Sequence, residues 1–151
     1  DVEFVVAAPH CIGVRTGRLP VVSEDASEAA PSLLRHVRDF TLGGETYAIH
    51  EEFGAATGAH VWNASICLAA HLVQHEETLS REGRRVIELG AGCGLVSCVA
   101  ARLGANVLAT DRDPALLRRN CDAVCGLTFG ELPQRARDHA PTLAVAAGVL
   151  Y

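Results

Sequence analysis

Methionine is missing from this sequence altogether, the first position included, and aromatic residues make up only 5% of it, with a single tryptophan. A chain with no initiating methionine is read as part of a longer one. Positive charge is also short, since 13 Lys and Arg stand against 18 Asp and Glu for a net charge of −5. Nucleic-acid binding rests on clustered cations facing phosphates, so this balance argues against DNA or RNA as a partner. No apolar run approaches the roughly 20 residues of a membrane span, and the start Asp-Val-Glu-Phe lacks the charged-then-apolar plan of a signal peptide. The expectation is a protein of the cell interior, cytoplasmic or nuclear, with no membrane partner.

Metal-ligand spacing is lacking too. The intervals Cys93 to Cys98 and Cys121 to Cys125 are not zinc-ribbon pairs, and these thiols sit among small apolar residues, as free buried cysteines do. His71 and His75 lie one helical turn apart with no third ligand, and are read as surface residues. Neither Ser65 nor Ser97 has a recognisable base, so no hydrolase signature is present. No metal is expected.

What remains is ordinary for a globular domain: 49% hydrophobic and 21% charged residues in a chain of 151. That length fits one domain, burying about two-thirds of its unfolded surface. Residues 2–6 read as a short strand and residues 23–30 as a polar linker. Alternating runs at 39–42 and 46–49, joined by Gly43-Gly44-Glu45, predict a β-hairpin. Asn63 is a good N-cap for an amphipathic helix ending near Glu76. Residues 86–89 predict a buried parallel strand, residues 95–103 a helix closed by Gly104, and residues 107–110 a second strand. Asp113 and Pro114 predict the start of another helix, with Gly126 ending it. Residues 142–151 read as a further core strand. Strands alternating with helices predict an α/β fold.

The turn between the first strand and helix reads Gly90-Ala-Gly-Cys-Gly94, and Asp111 ends the next strand. In such a unit the ligand lies beyond the carboxyl ends of the strands, where glycines let it approach the backbone and a carboxylate about 20 residues on accepts ribose hydroxyls. A dinucleotide fingerprint needs Gly or Ala where Leu95 stands, so GxGxG favours S-adenosyl-L-methionine (AdoMet) over a nicotinamide dinucleotide. Glu88, a carboxylate inside an apolar strand, is expected to hold the loop amides or the methionine ammonium.

The segment Gly58-Ala-His-Val-Trp-Asn-Ala-Ser-Ile, followed by Val86-Ile-Glu-Leu-Gly-Ala-Gly-Cys-Gly-Leu, resembles the methyltransferase-like family of protein lysine methyltransferases. In that family G-x-x-V-W-[DE]-[SA]-A precedes an ELGAGTGL-type loop. The resemblance implies a Rossmann-like class I methyltransferase fold, with a mostly parallel sheet, flanking helices and an N-terminal β-hairpin. It implies that Trp62 contacts AdoMet, that Gly90, Ala91, Gly92 and Gly94 form the turn against the methionine portion, that Asp111 holds the ribose, and that Ala147 lines the pocket. Tyr151 would form a wall of the substrate pocket. The implied reaction is methyl transfer to a protein side chain, lysine first. A silent AdoMet-fold scaffold, or transfer to histidine or a small molecule, are the alternatives.

Three departures accompany it. Gly148 stands where the family's D-x-x-Y stretch has its acid, and Asn63 replaces the acid after the tryptophan. A third strand ending in Asp-Trp is expected between Gly126 and Leu143, and residues 127–141 contain none. Either residues are missing there or the chain is a divergent relative without activity. The expected division is residues 1–37 as an N-terminal extension and 38–151 as the AdoMet-binding domain, incomplete at its C-terminal end.

Overall fold

The computed structural model describes residues 3–7, 34–53 and 57–149. Nine-residue strands β2 (Leu34–Leu42) and β3 (Glu45–Phe53) form an antiparallel hairpin, longer than the alternating runs alone indicated. Its two-residue turn is Gly43-Gly44, with φ of 59° and 82°. Two consecutive positive φ values match the twist of the flanking strands and are accessible chiefly to glycine. Phe40 and Ile49 turn inward from this ribbon to the core.

Helix α1 (Asn63–Gln74) buries Ala64, Leu68, Ala69 and Leu72, one stripe at helical spacing. Its N-cap is Trp62 in an extended conformation with no side-chain cap, so Asn63 is the first helical residue rather than the cap. Strand β4 (Arg85–Leu89), helix α2 (Leu95–Arg102) and strand β5 (Asn106–Asp111) follow as expected, and Gly104 closes α2 with φ 94°.

Beyond Asp113 the expected helix is not formed. Asp113 Oδ1 accepts the Ala115 N–H, a single helical turn forms over Leu117–Arg119, and the chain re-extends as β6 (Val124–Gly126). Pairing of Val124, Cys125 and Gly126 with Ala109, Thr110 and Asp111 overrides the local helix signals. The third strand sought after Gly126 is therefore β6 itself, and it ends in glycine rather than Asp-Trp. Helix α3 (Gln134–His139) then leads to β7 (Leu143–Ala147).

The main sheet is parallel, in the order β1-β7-β4-β5-β6, where β1 is Glu3–Ala7. Residues assigned to an N-terminal extension thus supply its edge strand, paired with all of β7. Side chains alternate between the two faces. Val86, Leu143 and Val145 join α1, α2, Phe40 and Ile49 in the larger core, whereas Ile87, Leu108 and Ala144 meet Ala136 of α3 on the other side. Each fully buried Leu or Val of the larger core contributes roughly 1.5–3 kcal/mol.

Candidate cofactor site

Register assembles the site. Leu89 is level with Thr110 on β5 and Ala146 on β7. One residue further, Gly90, Asp111 and Ala147 reach the carboxyl edge together, with Gly126 paired to Asp111. This edge is where ligands of open α/β sheets bind.

The turn leaving β4 has φ of 64°, 55° and 86° at Gly90, Gly92 and Gly94, a region that a Cβ disfavours. Space forbids side chains there as well. A Cβ on Gly90 would lie 2.6 Å from Val149 Cγ1, one on Gly92 2.9 Å from the Gly58 carbonyl oxygen, and one on Gly94 2.5 Å from Cys121 Sγ. The buried Ala91 donates its N–H to the Thr110 carbonyl at 2.8 Å. Asp111 faces the turn: its Oδ2 accepts the Gly92 N–H at 2.8 Å and its Oδ1 the Asp113 N–H at 3.0 Å. A carboxylate has about four acceptor positions, so capacity remains at each oxygen.

Glu88 does not serve the turn as expected. It is 1% exposed, and its carboxyl group meets the hydroxyl and backbone of Ser97 in the first turn of α2. Burial pushes its pKa up to about 8, against the lowering effect of Ser97. A carboxyl group at a helix N-terminus is well placed electrostatically, but this one is sealed behind the turn.

Trp62 stands on the rim, 50% exposed, with its indole N–H donating to Thr57 O at 2.9 Å and its ring 4.1 Å from His60. The segment before it is held from the hairpin. Glu51 on β3, 1% exposed, accepts the Val61 N–H, and Arg38 on β2 donates to the Val61 carbonyl at 2.9 Å. Arg38 also lies 3.1 Å from Glu51 Oε1, and His36 Nε2 lies 2.8 Å from Oε2. Asn120 makes a second tie. Its side chain accepts the His50 N–H at 2.9 Å and donates to His50 O at 3.0 Å and Cys93 O at 2.8 Å, joining hairpin to glycine turn.

Residues 42–124 match the family described as lysine methyltransferase, a stretch that includes α1, the glycine turn, Asp111 and the first residue of β6. The chain belongs to this lysine methyltransferase family. It is 42% identical over 94 residues to protein N-lysine methyltransferase METTL21A of Danio rerio, covering 62% of this chain and 42% of that protein. It is 35% identical over 125 residues to EEF1A lysine methyltransferase 3 of Xenopus tropicalis, covering 74% and 54%. The chain thus spans about half the length of these curated relatives. Among solved structures it is similar to the 16S rRNA N2 G1207 methyltransferase of T. Thermophilus in complex with AdoMet and guanosine. That match has a TM-score of 0.56 at 24% identity and covers 85% of this chain and 36% of that one, which shows the class I methyltransferase fold.

In this member of the lysine methyltransferase family, Ala147 is the half-buried last residue of β7, at the same edge as Asp111. Gly148 follows with φ 64°, so an acid in its place would sit in a strained backbone. Tyr151 lies outside the described residues. Glu51, Asn120 and Phe129 also stand around this edge without belonging to any of the sequence motifs. Phe129 is 60% exposed and its Cζ lies 3.9 Å from where a Gly90 Cβ would be, which puts an aromatic ring beside the turn. Its signal was Phe129-Gly130 following a short apolar strand.

Proposed function

We propose that this chain binds AdoMet at the carboxyl edge of β4 and β5, and that the protein it belongs to transfers the methyl group to a lysine of another protein. The observation that carries the binding half is the positive-φ turn at Gly90, Gly92 and Gly94 with the Asp111 carboxylate level with it. In this reading Gly90, Ala91 and Gly92 face the methionine portion, Asp111 retains acceptor capacity for the ribose hydroxyls, and Ala147 and Trp62 contact the cofactor from the same edge. Glu88 supports the turn through α2 rather than touching the ligand. The bound cofactor supplies a methyl carbon on a sulfonium. Held by the glycine turn and Asp111, it would supply that carbon to in-line displacement by a neutral amine. Such a displacement needs alignment and a neutral amine more than an enzyme nucleophile. The names of the relatives support lysine as the acceptor.

Calorimetric titration with AdoMet tests the reading. Wild type should bind, and Asp111→Ala should bind about 10- to 100-fold more weakly, the range expected for losing hydrogen bonds to a charged acceptor. Failure of folded wild type to bind would reject it. A second reading, a cofactor-fold subunit without transferase activity, is favoured by Gly148 in place of the acid. Transfer of labelled methyl from AdoMet to a protein in cell extract would decide for the enzyme, and binding without transfer for the silent subunit.

A further inference from the structure

Behind the glycine turn two thiols face each other across an element boundary. Cys98, on α2, has its Sγ 3.7 Å from the Sγ of Cys121, which follows the single turn after β5. Cys98 Sγ also lies 3.2 Å from the Asn120 carbonyl oxygen, and Cys121 Sγ 3.7 Å from that of Gly94. Both side chains are only partly exposed, and both thiols are free. We propose that Cys98 and Cys121 are a redox couple, forming a reversible intramolecular disulfide under a peroxide.

The geometry favours this pair. Bonded sulfurs lie about 2.05 Å apart, so the gap must close by less than 2 Å, within reach of side-chain rotation at the end of a one-turn segment. Contact with Cys121 holds the Cys98 thiol below the ordinary thiol range, while the same contact and burial push Cys121 up. Either sulfur can open the sequence, which balances as follows with Cys98 as the attacking thiolate. It takes one oxygen from hydrogen peroxide to give a sulfenic acid and hydroxide, which a proton converts to water. The Cys121 sulfur then attacks Cys98 Sγ, the S–S bond forms, the S–O bond breaks, and a second water leaves. The sum is two thiols and one peroxide giving one disulfide and two waters, and a dithiol reverses it.

The couple adjoins working parts. Asn120 precedes Cys121 and holds both His50 and the Cys93 carbonyl, while Gly94 has no room for a Cβ because Cys121 Sγ and Leu117 fill it. A bond at this point ties α2 to the segment that pins the hairpin to the turn.

The test is peptide mapping of the folded chain after treatment with stoichiometric hydrogen peroxide. A monomeric product lighter by two hydrogens should appear, with a linked pair of peptides carrying Cys98 and Cys121, and dithiothreitol should undo it. Oxidation should raise the melting temperature by several degrees, because the bond closes a sizeable loop, and Cys121→Ser should abolish both the link and the rise. The proposal is overturned if thiols are consumed without that link, if the link joins two molecules, or if it forms only in urea. These readings do not involve AdoMet, so they stand or fall separately from the proposed function.

Discussion

Glu88 makes an exacting demand, because a carboxyl group fully enclosed in β4 must keep its proton or be desolvated as an anion. Its pKa, raised from the ordinary 4.5 to about 8 by burial, means the native state holds a proton that the unfolded chain releases. The stability this proton confers is complete below the unfolded value and is lost as the pH rises through about 8. The melting temperature of wild type should therefore fall by several degrees between pH 5 and pH 8, and Glu88→Gln should flatten that slope while keeping the contact with Ser97. An equally steep slope in the variant would assign the pH dependence to other groups. At Gly94 the demand is steric: φ of 86° combines with Cys121 Sγ and Leu117 Cδ1 at 2.5 and 2.6 Å from a built Cβ. Gly94→Ala should cost about 2–4 kcal/mol, combining backbone strain with overpacking, and urea unfolding would measure it. Gly104, which closes α2 at φ 94° with open space around it, should lose only the backbone term on the same substitution.

Between elements, the hairpin acts as a brace for the rim. The Val61 peptide is gripped at both ends, its N–H by Glu51 and its carbonyl by Arg38, so the entry to α1 and the position of Trp62 are set by β2 and β3. Glu51→Ala strands a buried N–H and removes the partner of Arg38. It should lower stability by about 2–4 kcal/mol in urea unfolding and weaken AdoMet binding in calorimetry, whereas Glu51→Gln, which still accepts the N–H, should recover most of the stability. Equal loss in both variants would count against the brace and point to the charge alone. Little of this was legible beforehand, because Glu51 and Arg38 act on a residue remote in sequence and carry no motif. The hairpin itself was legible from Gly43-Gly44 and the alternation around it, and β4, α2 and β5 from apolar runs punctuated by glycine. Residues 113–126 misled because Asp113, Pro114 and Gly126 are sound local helix signals. Pairing with β5, which no local window contains, drew Val124–Gly126 into the sheet instead.

At the scale of the whole molecule the two faces of the sheet are unequal. One is covered by α1, α2 and the hairpin; the other, among the described residues, meets the six-residue α3 with Ala136 at its centre. The carboxyl-edge site could be read from sequence because Gly90 and Asp111 belong to one continuous motif. The sheet's outer edge could not, since residues 3–7 find their partner at residues 143–147, nearly the whole chain away. That long-range ladder makes β1 the guard of β7, whose last residue, Ala147, pairs with Ala7 at the level of Asp111. Deleting residues 1–7 would leave one side of β7 with unpaired backbone groups, which costs stability and offers a template for other chains. The truncated protein should therefore unfold at lower urea concentration and form larger species in light scattering as concentration rises. Its AdoMet affinity, measured at low concentration where it remains monomeric, should fall less than that of Asp111→Ala, because β4 and β5, which position Gly90 and Asp111, keep both neighbours. Unchanged urea midpoint and size would show that β7 is stable as an edge and that β1 is dispensable to the sheet.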